Sequence, residues 1–332
     1  MRKIIYLEMM AILMAGLIMI GTLGCSSKKP KTEMANLPMS LPLQSTSISA
    51  EVECFHPQFS YRGDQILYIC QEKKFNSQPQ LFIEDLNTGL KKQMTFQDGE
   101  LKAAHFLRPD LLVYLSSTDT RKENVPLLSS ISKPLDVLQM YSFDLRNDEI
   151  ERITENNLDE IFVVPLKNID PKVAFVRIES GTYKVYQKNL ANKSEKIIFK
   201  SNHPISEIGV SDANQILVVE DTGYKKMVRL IENAQKQTLW PEFKRDSQSF
   251  YLDSKTGELE YLDSMKIKSI SLKNLCESEL FSFSEPILEF QKSPVVDNLY
   301  VYTTLVQGLR RIERKVIPKS PAQPCKKIVR RR

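Results

Sequence analysis

Uninterrupted apolar runs recur along the chain, each a few residues after a polar turn. The clearest run is Ile66–Cys70 (ILYIC), which follows the turn Arg62–Asp64. With this run there are six, and their first apolar residues are at positions 66, 111, 173, 216, 250 and 299. The spacings between successive runs are 45, 62, 43, 34 and 49 residues. A strand with one face in water alternates apolar and polar side chains, whereas a strand covered on both faces does not. The runs therefore predict strands sandwiched between two layers.

Each run is followed by further strand-like segments. Leu81–Leu86 and Met140–Leu145 alternate as half-buried strands do, and short β-branched segments such as Gln93–Thr95 follow after a turn. Helical periodicity is hard to find after residue 30. A repeat of about 40 to 45 residues that carries four short strands is typical of a propeller blade. We therefore predict an all-β fold, a β-propeller of six four-stranded blades over residues 49–318.

Two segments carry a family resemblance, HPQFSYRGDQILYIC and QLFIEDLNTGLKKQMT. They resemble the blade repeat of TolB-type propellers. The matching positions are Pro57, Phe59, Ser60, Gly63, Ile66, Tyr68, Phe82, Asp85, Leu86, Gly89 and Thr95. The later blades lack the glycine turn. The resemblance implies the fold and no particular activity, because the shared residues build turns and fill the core.

The N-terminus resembles a bacterial lipoprotein signal. Arg2 and Lys3 precede the apolar segment Met9–Ile20, and Cys25 follows Gly24. The resemblance implies removal of residues 1–24, lipidation of Cys25 and attachment to the outer membrane, facing the periplasm or alternatively the cell surface. A plain secretory signal and an uncleaved anchor are the alternatives. Residues 25–48 are predicted to be a flexible linker.

The charge of the chain is modest, with 46 Lys plus Arg against 41 Asp plus Glu, a net charge of +5. The exception is the C-terminal stretch, residues 319–332, which ends in Lys326–Arg332 (KKIVRRR). We predict a basic tail that is either solvated or in contact with anionic lipid headgroups. No basic stripe interleaves with aromatic residues, so we predict no nucleic-acid partner.

Four cysteines lie beyond Cys25, namely Cys54, Cys70, Cys276 and Cys325. An oxidising periplasm permits disulfides, and the sequence does not choose among the three full pairings. The position of Cys70 inside an apolar run favours a buried free thiol. No pair has the close spacing of a zinc or redox site.

The sequence contains no G-x-S-x-G nucleophile elbow, no phosphate-binding glycine loop and no H-E-x-x-H segment. We therefore predict that the protein is not an enzyme and takes no cofactor or metal. His56, His105 and His203 each precede an apolar run, which predicts a common rim of the ring. We expect hydrogen bonding there, because the blades are too far apart for the three imidazoles to share a metal.

The 62-residue spacing comes from an insertion at residues 118–138 in the second blade. In a meander of strands a, b, c and d, the b–c loops share a face with the d–a connections, so the insertion and the histidines should share one face. The insertion either plugs the mouth of the channel or binds a partner. The predicted partner-binding face comprises His56, Asp119, Arg121, Lys122, Glu123, Asn124, Leu127 and Leu128.

These observations predict a non-enzymatic lipoprotein whose propeller is a protein–protein interaction scaffold for another envelope protein. The alternative is a protein that binds glycans or cell-wall chains, or a polysaccharide lyase, which uses the mouth of the channel. The single tryptophan, Trp240, weakens this alternative because sugar-binding sites usually present flat rings. We also consider that Ser49–Cys54 pairs beside residues 308–316 and closes the ring.

Overall fold

The computed structural model describes residues 52–72, 78–118, 137–156, 158–167, 170–211, 213–233, 236–253, 256–271, 273–318 and 326–327. Within these ranges the chain forms six antiparallel β-sheets. None of these residues belongs to a helix that is long and apolar enough to cross a membrane.

The first three blades each contain four strands in chain order. Blade 1 consists of β1 (Val52–Phe59), β2 (Gln65–Glu72), β3 (Gln80–Asp85) and β4 (Lys91–Gln93). Blade 2 consists of β5 (Leu101–Arg108), β6 (Leu111–Ser116), β7 (Gln139–Asp144) and β8 (Glu149–Arg152). Blade 3 consists of β9 (Glu160–Leu166), β10 (Lys172–Glu179), β11 (Thr182–Asn189) and β12 (Glu195–Ser201).

The last three blades differ in strand number. Blade 4 consists of β13 (Ile205–Val210), β14 (Ile216–Asp221), β15 (Lys225–Asn233) and β16 (Lys236–Lys244). Blade 5 consists of β17 (Gln248–Asp253), β18 (Glu258–Asp263), β19 (Lys266–Ser271), β20 (Cys276–Ser282) and the added β24 (Lys326–Lys327). Blade 6 consists, among the described residues, of β21 (Ile287–Lys292), β22 (Leu299–Val306) and β23 (Leu309–Val316).

The first strand of each blade lies at the centre of the molecule. These six innermost strands, β1, β5, β9, β13, β17 and β21, contact their neighbours in a closed circle. The prediction of an all-β propeller with six blades is therefore confirmed. Each blade is a meander, so the a–b and c–d loops of a blade lie on one face and the b–c loops and d–a connections on the other.

Five of the six apolar runs form the second strand of their blade and are covered on both faces, as predicted. The run at Phe250–Leu252 does not: it lies in β17, the first strand of blade 5, where buried and partly buried side chains alternate.

In β2, Leu67 and Ile69 pack into a buried cluster with residues of blade 2. The alternate side chains Ile66 and Tyr68 pack on the opposite face, with Val301 of blade 6. All four side chains are at most 5% exposed. Burial of side chains of this size contributes about 1.5–3 kcal/mol each, so stacking of the blades is a main source of stability.

A disulfide joins the first two strands of blade 1. Cys54 and Cys70 are directly paired across β1 and β2, and their sulfurs are bonded. The prediction that Cys70 is a free thiol is therefore wrong. An apolar environment suits a buried disulfide as well as a thiol, and only the strand register places the two cysteines opposite each other. Cys276 is also disulfide-bonded, to a partner outside the described residues.

The ring does not close in the way that the sequence suggested. The Val52–Cys54 part of the predicted closing segment belongs to β1, and β1 pairs only with β2 among the described strands. Blade 1 instead packs face to face on blade 6, and β1 contacts β21, β22 and β23. The prediction of strand pairing with residues 308–316 is wrong for these residues, because Val52–Cys54 pair with β2 and contact β23 only by packing against it.

Candidate functional site

The innermost strands surround a central cavity of about 420 Å³. Its wall includes polar side chains from blades 1, 2, 4, 5 and 6, namely His56, Gln58, His105, Glu207, Ser249, Glu289 and Gln291. A cavity of this volume lies within the range of small-ligand sites. The question is therefore whether these side chains are available to a ligand or are used by the fold.

Two of the three histidines meet in this wall. His56 lies in β1 and His105 in β5, and their ring centroids are 5.2 Å apart in an edge-to-face arrangement. His203 lies elsewhere, in the connection between β12 and β13. The prediction of one rim carrying all three histidines is therefore wrong. A position ahead of the apolar run corresponds to the innermost strand in blades 1 and 2, and to the loop before that strand in blade 4.

Strand bulges determine which groups face the cavity. The register of β1 shifts between Phe55 and Gln58, and His56 within the bulge has a φ of 56°. The register of β17 shifts likewise between Gln248 and Tyr251, and Ser249 has a φ of 55°. A bulge leaves backbone N–H groups without a ladder partner, and a buried N–H group needs an acceptor.

Two glutamates of the neighbouring blades supply these acceptors. The carboxylate of Glu207 in β13 accepts hydrogen bonds from the N–H groups of Ser249, at 2.9 Å, and Phe250, at 2.7 Å. Glu289 in β21 accepts from the N–H group of His56 at 2.6 Å. Both glutamates stand directly after the register shift of their own strand. The same hydrogen-bonded contact, from a glutamate to the bulge of the next blade, therefore occurs twice. It joins blade 4 to blade 5 and blade 6 to blade 1.

The electrostatics of the two glutamates differ. Burial raises the pKa of Glu207 to about 7, against the opposing effects of its amide donors and of Lys226. Burial also acts to raise the pKa of Glu289, but its hydrogen bonds and ion pairing with His56, whose Nδ1 lies 3.6 Å away, hold that pKa below its ordinary value. Burial and the neighbouring His56 lower the pKa of His105 well below its ordinary value, so His105 is neutral.

Other polar groups along the wall and its rim also join neighbouring blades. Gln291 accepts a hydrogen bond from the N–H group of Phe59, and the Tyr61 hydroxyl donates to the carbonyl of Leu107. The Ser249 hydroxyl accepts from the N–H group of Phe290 at 2.8 Å. Within the described residues, no group of three or more His, Cys, Asp or Glu side chains could hold a metal ion. The polar wall therefore consists largely of structural hydrogen bonds.

A second feature lies on the face formed by the b–c loops and d–a connections, where the insertion leaves blade 2. Its first end is fixed at Ser117, whose N–H donates to the carbonyl of Glu100 and whose hydroxyl accepts from the N–H of Glu100. The backbone passes so close to Gly99 that a Cβ there would lie 2.4 Å from the nitrogen of Thr118, which requires glycine.

The second end of the insertion is fixed in the same way by the next d–a connection. The N–H of Leu138 donates to the carboxylate of Asp159 at 3.0 Å, and the carbonyl of Leu138 accepts from the N–H of Glu160. The fold thus holds both ends of this b–c loop between two d–a connections.

The same two connections expose large apolar side chains. Phe96, in the connection between blades 1 and 2, is 86% exposed, and Leu158, between blades 2 and 3, is 39% exposed. Tyr224, in the b–c loop of blade 4 on the same face, is 92% exposed. Exposed aromatic side chains are frequent centres of protein interfaces. We call Phe96, Leu158 and the two fixed ends, Ser117–Thr118 and Leu138, the blade 2 face.

The predicted site residues fall into two groups. His56 is described and lies inside the channel wall rather than on the blade 2 face. Cys25 and the predicted residues of the insertion, Asp119, Arg121, Lys122, Glu123, Asn124, Leu127 and Leu128, lie outside the described residues. Phe96 and Leu158 escaped the sequence reasoning, because a lone apolar residue in a loop has no periodicity. The sequence reasoning also missed Glu207 and Glu289, because a bulge cannot be located from the sequence until the strand register is known.

Comparison with known proteins supports the fold alone. No protein-family model matches the chain, and no curated protein sequence matches it. Among solved structures, the chain resembles an oligogalacturonate lyase from Vibrio parahaemolyticus, with a TM-score of 0.53, 9% identity, and coverage of 80% of this chain and 91% of that one. It also resembles an oligogalacturonate lyase in complex with manganese, with a TM-score of 0.51, 13% identity, and coverage of 76% and 72%.

TolB from Acinetobacter baumannii is a further similar structure, with a TM-score of 0.49, 16% identity, and coverage of 66% of this chain and 51% of that one. At these identities the likenesses carry over no substrate or partner. The two lyase structures agree with the propeller architecture, and the chain is a six-bladed β-propeller.

Proposed function

We propose that this protein is a non-enzymatic interaction scaffold of the cell envelope, which binds another envelope protein through its blade 2 face. The observation that carries the proposal is Phe96, an aromatic side chain that is 86% exposed beside the fixed ends of the inserted loop. A large apolar side chain in water gains free energy when a partner covers it, and interface hot spots are enriched in aromatic residues.

The charged and polar groups of the channel support the same proposal, because they already form structural hydrogen bonds between blades. Glu207, Glu289 and Gln291 accept hydrogen bonds from backbone N–H groups of the neighbouring blade. A carboxylate engaged in this way stabilises the ring, and proton transfer by it would weaken the contact between two blades. We therefore assign the channel wall to structure and the blade 2 face to binding.

We place the protein at the outer membrane, anchored through lipid on Cys25 and facing the periplasm, with the cell surface as the alternative orientation. The lipoprotein-like N-terminal sequence supports the anchor, and the Cys54–Cys70 disulfide agrees with an oxidising compartment. A Cys25→Ser variant should lose fatty-acid labelling and move out of the membrane fraction. Retention of label would overturn the anchor. Digestion of the protein by protease added to intact cells would assign it to the surface.

The binding proposal is tested by photo-crosslinking in cells. A photoreactive phenylalanine analogue at position 96 should give a discrete adduct with an envelope protein. The matched control is the same analogue at position 224, which is as exposed and on the same face but two blades away. Adducts of equal yield at both positions, or none at position 96, would contradict the assignment of the partner to the blade 2 face.

The second candidate function is binding or cleavage of a polysaccharide in the channel. The observation that favours it is the cavity of about 420 Å³ with His56 and His105 in its wall. Trp240, which a sugar site would use as a platform, is instead buried in the core, at 3% exposure. Incubation with polygalacturonate or cell-wall fragments should give no unsaturated product by ultraviolet absorbance and no binding by calorimetry, and either signal would favour this candidate over the scaffold.

A further inference from the structure

Positive charge is concentrated at the C-terminal end of the chain. Residues 309–332 contain ten Lys and Arg residues and one acidic residue, so they carry a net charge of +9. The whole chain carries +5, and the remainder is therefore negative, at −4. Six of the ten basic residues lie in described strands, namely Arg310, Arg311, Arg314 and Lys315 in β23 and Lys326 and Lys327 in β24. Neither the blade 2 face nor the channel wall contains any of them.

The two strands lie on the outer part of neighbouring blades. β23 is the third strand of blade 6, and β24 extends the sheet of blade 5 by pairing with its fourth strand, β20. Lys315 links the two sheets, because its Nζ lies 4.4 Å from the ring centre of Phe281 in β20. We call the six basic residues of β23 and β24 the basic rim. Two residues of the predicted basic tail thus belong to the sheet of blade 5.

Most of the positive charge on β23 has no counter-charge. Arg310 and Lys315 are exposed, and among the described residues neither they nor Arg311 form an ion pair. Arg314 approaches one carboxylate, that of Glu84 in blade 1, at 3.8 Å. Like charges on one short strand repel each other, and an external anion relieves that repulsion.

The acidic residues of this region are engaged elsewhere. Glu313 of β23 accepts a hydrogen bond from the hydroxyl of Tyr302 at 3.0 Å. On the adjacent strand β20, Glu279 pairs with Lys266 at 2.7 Å, and Glu277 accepts a hydrogen bond from a buried tyrosine hydroxyl. The carboxylates of the neighbouring strands therefore do not neutralise the basic rim.

The positions of the charged groups suit a broad anionic surface. The Arg310 guanidinium lies 5.3 Å from the ring centre of Phe55 in blade 1, whereas Lys315 lies over Phe281 of blade 5. The basic groups therefore extend to both sides of β23 and do not converge on one pocket. Val316, beside them, is 61% exposed, and the headgroup region of a membrane accommodates such an apolar side chain.

The same contacts argue against a nucleic acid as the ligand. Sites for single-stranded nucleic acid stack bases on exposed aromatic rings. Here the rings of Phe55 and Phe281 are partly buried, and each is covered by a cation of the basic rim. Of the two kinds of polyanion, a lipid surface therefore fits better.

We propose that the basic rim binds the phosphate groups of an anionic phospholipid surface. Lys and Arg residues close to such a surface each add to the attraction, and salt screens it. In the ring of six, blades 5 and 6 lie across from blades 2 and 3, so a membrane at the basic rim leaves the blade 2 face accessible. The inference goes beyond the proposed function and requires neither Phe96 nor a lipid on Cys25.

The test is co-sedimentation of the full chain with vesicles of phosphatidylcholine alone or of phosphatidylcholine mixed with phosphatidylglycerol. The apolar segment Met9–Ile20 is present in every variant, so the measured quantity is the ratio of the partition coefficients for the two kinds of vesicle. We expect a ratio above one that falls as salt is added. The variant Arg310→Gln, Arg311→Gln, Lys315→Gln should lower the ratio about tenfold or more.

A matched control removes the same charge elsewhere. Lys92, Lys102 and Lys193 lie in blades 1, 2 and 3 with side chains that are 67%, 48% and 78% exposed, and their joint replacement by Gln should keep most of the ratio. A second measurement needs no loss of charge. A photoreactive phenylalanine analogue in place of Val316 should form lipid adducts on the anionic vesicles, whereas the analogue in place of Ile150, 50% exposed in blade 2, should form few.

Three outcomes would overturn the proposal. Equal partition of the unaltered protein into both vesicles would mean that the basic rim contacts no anionic lipid. Equal losses in the two triple variants, or equal lipid adducts at positions 316 and 150, would show a response to net charge without a defined surface. Tighter binding to a short DNA duplex than to the anionic vesicles would assign the basic rim to another polyanion. None of these outcomes depends on crosslinking at Phe96 or on fatty-acid labelling at Cys25, so the proposals fail separately.

Discussion

At the scale of single residues, buried charges stabilise this propeller only where a specific partner is present. Arg177 of β10 packs against the stacked rings of Phe175 and Tyr186, with its guanidinium 5.0 and 4.7 Å from the ring centres. It donates to Glu160 at 2.8 Å and to Glu195 at 2.9 Å. Glu160 is fully buried, and burial raises its pKa despite these contacts. The buried carboxylate of Glu160 therefore depends on Arg177 as its counter-charge.

Replacement of this arginine is expected to be costly. Arg177→Met should lower the free energy of unfolding by about 3–5 kcal/mol, because it leaves the Glu160 carboxylate buried without its counter-charge. The double variant Arg177→Met, Glu160→Gln should recover a large part of that loss. Urea denaturation of the two variants and the unaltered protein measures both effects. A double variant less stable than the single one would contradict the pairing.

Glu207 should make stability depend on pH. Its pKa in the folded protein is about 7, raised by burial from an ordinary 4.5, so the folded state binds the proton more tightly than the unfolded state. Stability therefore falls as pH rises from about 4.5 to about 7, by about 1–3 kcal/mol for this group. Glu207→Gln should reduce that fall, as measured by urea denaturation across the range.

The matched control is Glu289→Gln, for which the sign is opposite. The pKa of Glu289 is lowered in the folded state, so its ionised form contributes stability that is present above its ordinary pKa and is lost as pH falls. Glu289→Gln should therefore destabilise the protein most at neutral pH. The same pH response in both variants would contradict the described difference between the two carboxylates.

At the scale of strands, the second strand was the most predictable element in every blade except blade 5, whose predicted run belongs to the first strand, β17. The unbroken apolar run of a second strand, as in Ile66–Cys70, reports burial on both faces, which is a property of the sequence alone. The innermost strand was less predictable, because bulges at His56 and Ser249 interrupt its register and polar residues such as Glu207 face the cavity. The ends of the inserted loop depend on contacts with two other connections, and no local pattern encodes such contacts.

The disulfide between the first two strands gives a prediction at the same scale. Cys54 and Cys70 are 16 residues apart, and a covalent link across a loop of this length stabilises a protein by about 3 kcal/mol. The variant Cys54→Ala, Cys70→Ala should therefore melt about 5–10 °C lower. Peptide mapping without reduction should recover the 54–70 link in the unaltered protein. A free thiol at Cys70 in that map would contradict the described pairing.

At the scale of the whole molecule, the polar groups of the channel and the exposed apolar side chains of the blade 2 face lie in different regions of the ring. The groups of the channel connect one blade to the next, and the outer face around blade 2 exposes apolar side chains that no blade covers. Variants in the two regions should therefore have different consequences. Phe96→Ala should leave the melting temperature unchanged, since its ring is 86% exposed, whereas Glu289→Ala should lower it by leaving the N–H of His56 without its acceptor.

The most direct test of this separation is co-purification of bound envelope proteins with Phe96→Ala and Glu289→Ala, each assayed below its melting temperature. We predict that Phe96→Ala loses at least tenfold in recovered partner with unchanged melting, and that Glu289→Ala retains the partner despite its lower melting temperature. Loss of the partner in Glu289→Ala while Phe96→Ala binds normally would place the function in the channel and contradict the account.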